Sequence, residues 1–299
     1  MPVAAVIFDW GGTLTRWHDI DFHAESLALA QAVVDVDHDI HVSSAKLHAA
    51  GATIWGRSRD HQQSSTVDDL FAEAGLAHDP ELLSAYYEFW APHTLTDPDV
   101  RPTWEALRAD GLRIGVLSNT IWPRTYHEAI FSRDGVLDLI DGAVYTSEIA
   151  WTKPSPRAFE AAMAAVGVPD PSRCVYVGDR LFDDIWGAKN AGLRAVHVPH
   201  SAIPAEQVGH SEGTPDAVIQ RLVDLPDVVR AWAGAATMSA LATTATVVPA
   251  SSMLRRRVCM WGVPLTGSRS APARASSSSS AGRARARRAS LPEDRRAAG

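Results

Sequence analysis

The spacing of apolar residues changes character twice along this chain. Residues 3–8 form an unbroken apolar run that stops at Asp9 and turns through Gly11 and Gly12. Such a run predicts a strand buried on both faces. From about 23 to 92 the apolar residues recur at three and four, as in Leu47, Ile54 and Trp55, and in Val67, Leu70, Phe71 and Ala74. That period predicts helices. Gly75 is placed to end one of them, and 82–90 supplies another with Tyr86, Phe89 and Trp90 on one side. The block of ~70 residues is enough for three or four helices.

After Pro98 and Pro102 the strand-like runs return, at 112–117, 143–147, 173–177 and 193–198. Helices are expected between them: 103–109 closed by Gly111, 156–166 stopped at Gly167, about 184–191 closed by Gly192, and an amphipathic helix at about 215–232. Ser155 is the expected N-cap of the second, with Pro156 as its first residue. Strands alternating with helices predict right-handed βαβ crossovers and an α/β fold with a doubly wound, mostly parallel sheet.

Charge divides the chain in two. Residues 1–254 carry 17 Lys/Arg against 33 Asp/Glu, while 255–299 carry 11 Arg against 2 acids. The acidity of the body argues against nonspecific nucleic-acid binding. From Gly234 onward Ala, Ser, Thr, Gly, Pro and Arg dominate, so 234–299 is expected to be a disordered tail. Its Arg clusters are only a weak hint of an anionic partner. Two cysteines, Cys174 and Cys259, form no disulfide framework. No basic leader precedes the first strand, and no apolar run reaches the ~18–20 residues of a membrane span. A cytoplasmic protein is the expectation, with oligomeric state open.

Four strand ends or adjacent turns carry reactive side chains: Asp9; Ser118 and Asn119; Lys153; and Asp179 with Asp183 and Asp184. A carboxylate at the end of a buried strand is costly unless something uses or pairs it. In open α/β sheets that edge is where ligands sit. Each residue also has an ordinary use, Asp9 in a turn, Ser118 as a cap, Lys153 on the surface, Asp183 and Asp184 at a helix N-terminus. Only three lysines exist, Lys46, Lys153 and Lys189, so one of them beside a strand-end turn is informative.

Taken in order, the stretches FDWGGTLT (8–15), GVLSNT (115–120), TKPSPRAF (152–159) and VGDRLFDDIWGAKNAG (177–192) resemble the haloacid dehalogenase (HAD) superfamily of hydrolases. The resemblance covers about 3–232. It implies a Rossmann-like core from 1–15 and 98–233, with 16–97 as an α-helical cap that gates access and selects a small substrate. It implies a Mg²⁺-dependent hydrolase of a small phosphorylated metabolite, with Asp9 as nucleophile forming an aspartyl-phosphate. Ser118, Asn119, Lys153, Gly11 and Gly12 would bind the phosphate. Asp9, the Gly11 carbonyl, Asp179 and Asp184 would hold the metal, a hard-oxygen set suited to Mg²⁺, with Asp183 the alternative to Asp184.

One position departs from that pattern. Family phosphatases usually carry a second Asp two residues after the nucleophile, as acid and then base; here it is Gly11. A general acid/base contributes ~10²–10⁴ in rate. Three readings follow: a phosphatase with another acid/base, for which His18, Asp19 and Asp21 are candidates, or with an undemanding leaving group; a phosphonatase- or dehalogenase-like hydrolase, with Lys46 the one cap lysine for a Schiff base; or a non-catalytic phosphate-binding protein. Trp10, Trp17, Trp122, Trp151 and Trp186 lie in or beside the motifs, either lining one pocket or packing strand ends and the cap hinge.

Overall fold

The computed structural model describes residues 2–17, 19–35, 37–201, 203 and 210–233. The expected tail and His18 lie outside the described residues. Six strands form one parallel sheet: β1 (Ala5–Phe8), β2 (Arg113–Ser118), β3 (Gly142–Tyr145), β4 (Cys174–Gly178), β5 (Arg194–His197) and β6 (Ala217–Val218). Their order is β3-β2-β1-β4-β5-β6. The chain builds outward from β1 on one side, then returns to build outward on the other. The reversal falls between β1 and β4, where Ala5 pairs with Cys174 and Phe8 with Val177. A doubly wound sheet opens its ligand crevice at that point.

The unbroken apolar run of β1 has a plain cause. Successive side chains of a strand point to opposite faces, and both faces here are covered. Val6 and Phe8 join one core with Ile114, Val116, Val175, Val177 and Trp104. Ala5 and Ile7 join the other with Leu117, Tyr176, Phe159 and Ile185.

Helices α1 (Phe22–Ala30), α2 (Ile40–His61), α3 (Val67–Ala74) and α4 (Ser84–Trp90) all lie between β1 and β2 in sequence. α1 packs on α2 and α4, and α2 on α3. Caps fix the ends: Asp21 accepts from His23 N and Ala24 N, and Thr66 with Asp69 closes a capping box on α3. This block is tied to the sheet's upper loops by backbone bonds, Val67 N to Ile121 O at 3.1 Å and Thr152 N to Gln62 O at 3.0 Å.

Helices α5 (Val100–Ala109), α6 (Arg124–Arg133), α7 (Pro156–Ala165) and α8 (Gly187–Asn190) flank the strands, and a last helix, α9, spans 225–233. Two expectations are corrected, at α5 and at 215–232; one helix, α6, was not foreseen, and the start of α7 is as expected. α5 begins at Val100, placing Pro102 within the first turn, where a missing N–H is harmless. α6 was not legible, because its buried side is His127, Ile130 and Phe131, and the histidine interrupts the apolar spacing. Ser155 occupies the N-cap of α7 but makes no capping bond through its side chain, and Pro156 at N1 sets the start. The expected helix at 215–232 is divided: β6, a 3₁₀ turn (Leu222–Asp224), then α9. Edge pairing decides that, since Ile219 N donates to His197 O at 3.0 Å.

Candidate active site

Asp9 follows β1 directly, and its N–H continues the sheet by donating to Val177 O at 2.9 Å. The chain then folds back on itself, with Leu14 N and Thr15 N both donating to Trp10 O. Gly12 has φ +87°, and a Cβ there would meet Asp179 Oδ2 at 2.1 Å. Only glycine satisfies both conditions. On β4, a Cβ at Gly178 would meet the Asp184 carboxyl carbon at 2.3 Å. The two glycines leave the room that the two carboxylates fill.

Lys153 stands in the turn before α7. Asn119 fixes it by its backbone, with Oδ1 accepting from Lys153 N at 2.8 Å and Nδ2 donating to Lys153 O at 3.1 Å. The Asn119 side chain is thus turned to the lysine's backbone. All three donors of the ammonium are directed. Nζ lies 2.6 Å from Asp9 Oδ1 and 2.7 Å from Asp184 Oδ1. The third contact is Tyr176 OH at 3.0 Å, which itself donates to Leu117 O at 3.1 Å.

Asp184 sits on a π-helical turn, Leu181–Trp186, in which Ile185 N donates to Arg180 O. Such wide turns recur at functional sites. Its second oxygen accepts from Arg180 N at 2.9 Å. Asp183, the neighbouring carboxylate, is half-buried and outside the cluster. Ser118 closes β2 and is buried at the same edge.

Asp9, Asp179 and Asp184 each offer an oxygen within 4.8 Å of the others, all buried. Burial, then the charge of Asp184, raises the Asp9 carboxyl to about 6 despite Lys153. Asp179 is driven well above the usual carboxylate range by burial and by Asp184 and Asp9. Burial opposes the charge of Lys153, but Asp184 and Asp9 outweigh it and hold the ammonium protonated. Asp179 accepts from Thr13 at 3.2 Å through Oδ1, while its Oδ2 is buried without a hydrogen-bond partner. One ammonium among three buried carboxylates leaves an excess of negative charge. A divalent cation with oxygen preference would balance it.

A profile of the haloacid dehalogenase-like hydrolases matches residues 3–192. The chain belongs to this family. It is 28% identical over 232 residues to the glyceraldehyde 3-phosphate phosphatase of Methanopyrus kandleri, covering 76% of this chain and 97% of that one. It is 27% identical to the ribulose-1,5-bisphosphate 5-phosphatase of Halopiger xanaduensis, over 74% and 93% of the two chains. The fold is shared with a HAD phosphatase from Thermococcus onnurineus, with a TM-score of 0.54 at 24% identity over 76% of this chain and 98% of that chain.

In this HAD-like hydrolase the tryptophans do not converge on one pocket. Trp10 and Trp122 are buried and pack edge to face, centroids 5.5 Å apart, and Trp90 of α4 lies 5.1 Å from Trp122. Trp151 and Trp186 are exposed, against Arg157 and Phe182 respectively. Of the candidates for a replacement acid, Asp21 is exposed and caps α1, and Asp19 is exposed. Lys46 is exposed on α2, in a groove shared with Glu73 and Ala74.

Two groups of polar residues were not foreseen. Tyr176 lies within an apolar strand, where nothing in the spacing marks its hydroxyl as a partner of Lys153. His200 and Ser201, beyond β5, hold the Asp9 loop: His200 Nε2 donates to the carbonyls of Gly12 and Thr13, each at 3.0 Å, and Ser201 Oγ donates to Gly12 O at 2.6 Å. Their separation from the loop by almost 190 positions hides that contact from the sequence.

Proposed function

We propose that this protein is a Mg²⁺-dependent phosphatase of a small phosphorylated metabolite, with Asp9 as the nucleophile. The observation that carries the reading is the tripod on Lys153 Nζ, which fixes Asp9 at 2.6 Å and Asp184 at 2.7 Å beside the unpartnered Asp179 oxygen. The similarity to named phosphatases over three quarters of the chain supports the same class.

Asp9, Asp179, Asp184 and the Gly11 carbonyl would hold the metal. Bound Mg²⁺ supplies charge neutralisation for the phosphoryl oxygens. The chain's own groups do the rest. Lys153 keeps Asp9 ionised against its burial and orients one carboxylate oxygen, leaving the other to attack phosphorus. Ser118 and the backbone N–H groups of the strand-end loops would donate to the transferred phosphoryl group. Helices α1–α4 would screen the site and select a small substrate.

A dehalogenase needs no metal, and the buried trio with its orphaned oxygen favours phosphoryl chemistry. A Schiff-base reading has no support in the exposed position of Lys46. The deciding experiment is turnover in Mg²⁺ of phosphomonoesters, phosphoanhydrides, phosphonates and 2-haloacids by the wild type and by Asp9→Asn. Phosphate release abolished in Asp9→Asn is expected. Activity unchanged in that variant would remove Asp9 as nucleophile, and halide release without phosphate release would assign the chemistry to carbon–halogen bonds.

A further inference from the structure

The turn that carries Lys153 is held from two sides, and only one of them belongs to the sheet. On the sheet side Asn119 brackets the lysine's backbone. On the other side the link between α2 and α3 lies along residues 149–152 as a short antiparallel ladder. Thr152 N donates to Gln62 O at 3.0 Å and Ser64 N to Ala150 O at 3.3 Å, with Gln63 opposite Trp151. Ser64 Oγ also donates to Ile149 O. Gln62 makes the ladder possible. It ends α2 at φ +55°, in the left-handed region, and so turns the chain back along the Lys153 turn. A residue with a Cβ seldom takes that conformation. The same link reaches the loop after Ser118, where Val67 N donates to Ile121 O at 3.1 Å.

A side-chain pair locks this ladder to the helix. Ser58, in the last turn of α2, and Thr152 are both buried. Ser58 Oγ donates to Thr152 Oγ1 at 3.1 Å, and Thr152 Oγ1 donates to Ser58 O at 3.3 Å. Each buried hydroxyl proton thus has an acceptor. Thr152 is the residue before Lys153, and its carbonyl closes the turn by accepting from Ser155 N at 2.9 Å. The Lys153 ammonium meets Asp9, Asp184 and Tyr176 at 2.6, 2.7 and 3.0 Å, so a shift of the turn disturbs all three contacts together. The helical block is also more than a loosely hinged body. Leu47, Ile54, Phe71, Tyr86 and Trp90 belong to one continuous buried core with Val6 and Phe8 of β1. Relative motion is the default where such an interface is small and polar, and this one is apolar.

We propose that Ser58, acting through Thr152, is a positioning residue for Lys153, and that the helical block stays joined to the Lys153 turn throughout turnover. This rests on the proposed role of Asp9 as nucleophile. The block then supplies half of the frame around the lysine, besides screening the site. Release of this edge would take that half away and leave Asn119 to hold the turn. The ammonium would lose its register with Asp9 and Asp184 in the very state in which the nucleophile depends on it. Substrate and product therefore pass without separation of 62–64 from 149–152.

The test uses the full chain with Mg²⁺ and para-nitrophenyl phosphate. Thr152→Val keeps the shape and removes the hydroxyl. It is expected to lower kcat by ~10–10²-fold while KM changes by less than about twofold, because placement of the lysine matters more in the transition state than in substrate binding. Thr152→Ser retains the hydroxyl and should retain most of kcat. Ser58→Ala should lower kcat as well, and combining it with Thr152→Val should add little, since both remove one pair. An unchanged kcat in Ser58→Ala and Thr152→Val, or an equal loss in Thr152→Ser, overturns the positioning role. The docking is tested by a cross-link. The two ladder bonds flank Gln63 and Trp151, which therefore face each other as a non-hydrogen-bonded pair, with Cα atoms about 4.5 Å apart and within disulfide reach. In the double variant Gln63→Cys with Trp151→Cys, oxidation should close the bridge and leave kcat as in the reduced protein. Turnover lost on oxidation and restored by reductant overturns the permanent docking, and cysteines that do not pair overturn the ladder itself. Turnover that survives Asp9→Asn overturns the proposed function, whereas the outcomes above, with Asp9 still required, overturn this inference alone. The cross-link decides even where a Thr152 variant does not fold.

Discussion

Two adjoining regions of this molecule begin at the same strand end and solve opposite problems. Asp9 enters a cluster of like charges, buried with one lysine among three carboxylates. Trp10, the next residue, enters a seam of aromatic rings with Trp122, His127 and, through Trp122, Trp90 and Tyr86 of α4. The seam is packed and uncharged, although the Trp10 and His127 rings each bury one nitrogen, Nε1 and Nδ1, without a hydrogen-bond partner. Burial, with Arg124 adding to it, lowers His127 to about 3, so the ring is neutral. Its Nε2 and the Trp122 backbone N–H both meet the Thr120 hydroxyl at 3.0 Å. The cluster by contrast keeps charge that its own groups leave uncompensated. Such a cluster, next to a well-packed seam, costs stability rather than adding it.

The contrast is broken most severely at Lys153. Lys153→Ala removes the sole ammonium from three buried carboxylates, a loss of about 3–5 kcal/mol at neutral pH. Chemical denaturation in chelator should show it, with the deficit shrinking toward pH 5 as the carboxylates take up protons. A deficit of the same size at both pH values would mean that lost packing, not charge, is the cause.

In the seam the loss should be apolar and insensitive to pH. Trp122→Ala is expected to cost about 3 kcal/mol by opening a cavity among Trp10, Trp90 and Tyr126. Equal destabilisation at pH 5 and pH 8 would set it apart from the Lys153 variant.

Glu25 is where the seam borrows from the cluster. It accepts from Trp90 Nε1 at 3.2 Å and from Tyr86 OH at 3.4 Å. Burial raises it from 4.5 to about 7, against the lowering effect of those two bonds. Below 4.5 the carboxyl is protonated in both folded and unfolded chains. As pH climbs from there to about 7 the unfolded chain has lost the proton that the folded chain retains. Stability therefore falls across that window and stays lower above it. Glu25→Gln should remove the fall, gaining about 2 kcal/mol at pH 8 and almost nothing at pH 4.5. Matching pH–stability curves for the two proteins would contradict the burial argument.

The smallest effect belongs to neither region. Arg59 and Asp60 pair on the exposed surface of α2, and Arg59→Ala should leave the denaturation midpoint almost unchanged. A larger loss would mark a role in the helical block that the surface geometry does not show.

Much of the core was legible because local rules and the tertiary result agree. A two-faced strand needs a continuous apolar run, so β1, β2 and β4 announce themselves. A carboxylate at such a strand's end stands out, and Asp9, Asp179 and Asp184 do meet within 4.8 Å. The spacing of acids alone left Asp183 and Asp184 open. The π-helical turn separates them, burying Asp184 against Lys153 and leaving Asp183 outside. α6 and β6 escaped notice because a buried histidine and an edge-strand partner take their meaning from neighbours distant in the chain.

The sequence by itself determined a doubly wound α/β core, a helical block inserted after its first strand, and the identity of the charged residues at the strand ends. Period, length and residue type are local properties, and the chain carries them without folding. Only the tertiary structure decided which carboxylates share Lys153, why positions 12 and 178 must be glycine, and what stands beside Gly11. Those depend on distances between segments up to almost 190 residues apart, which sheet order and loop packing set. From the sequence Gly11 is a missing carboxylate. In the folded chain a side chain at that position would meet the edge of the Trp17 indole.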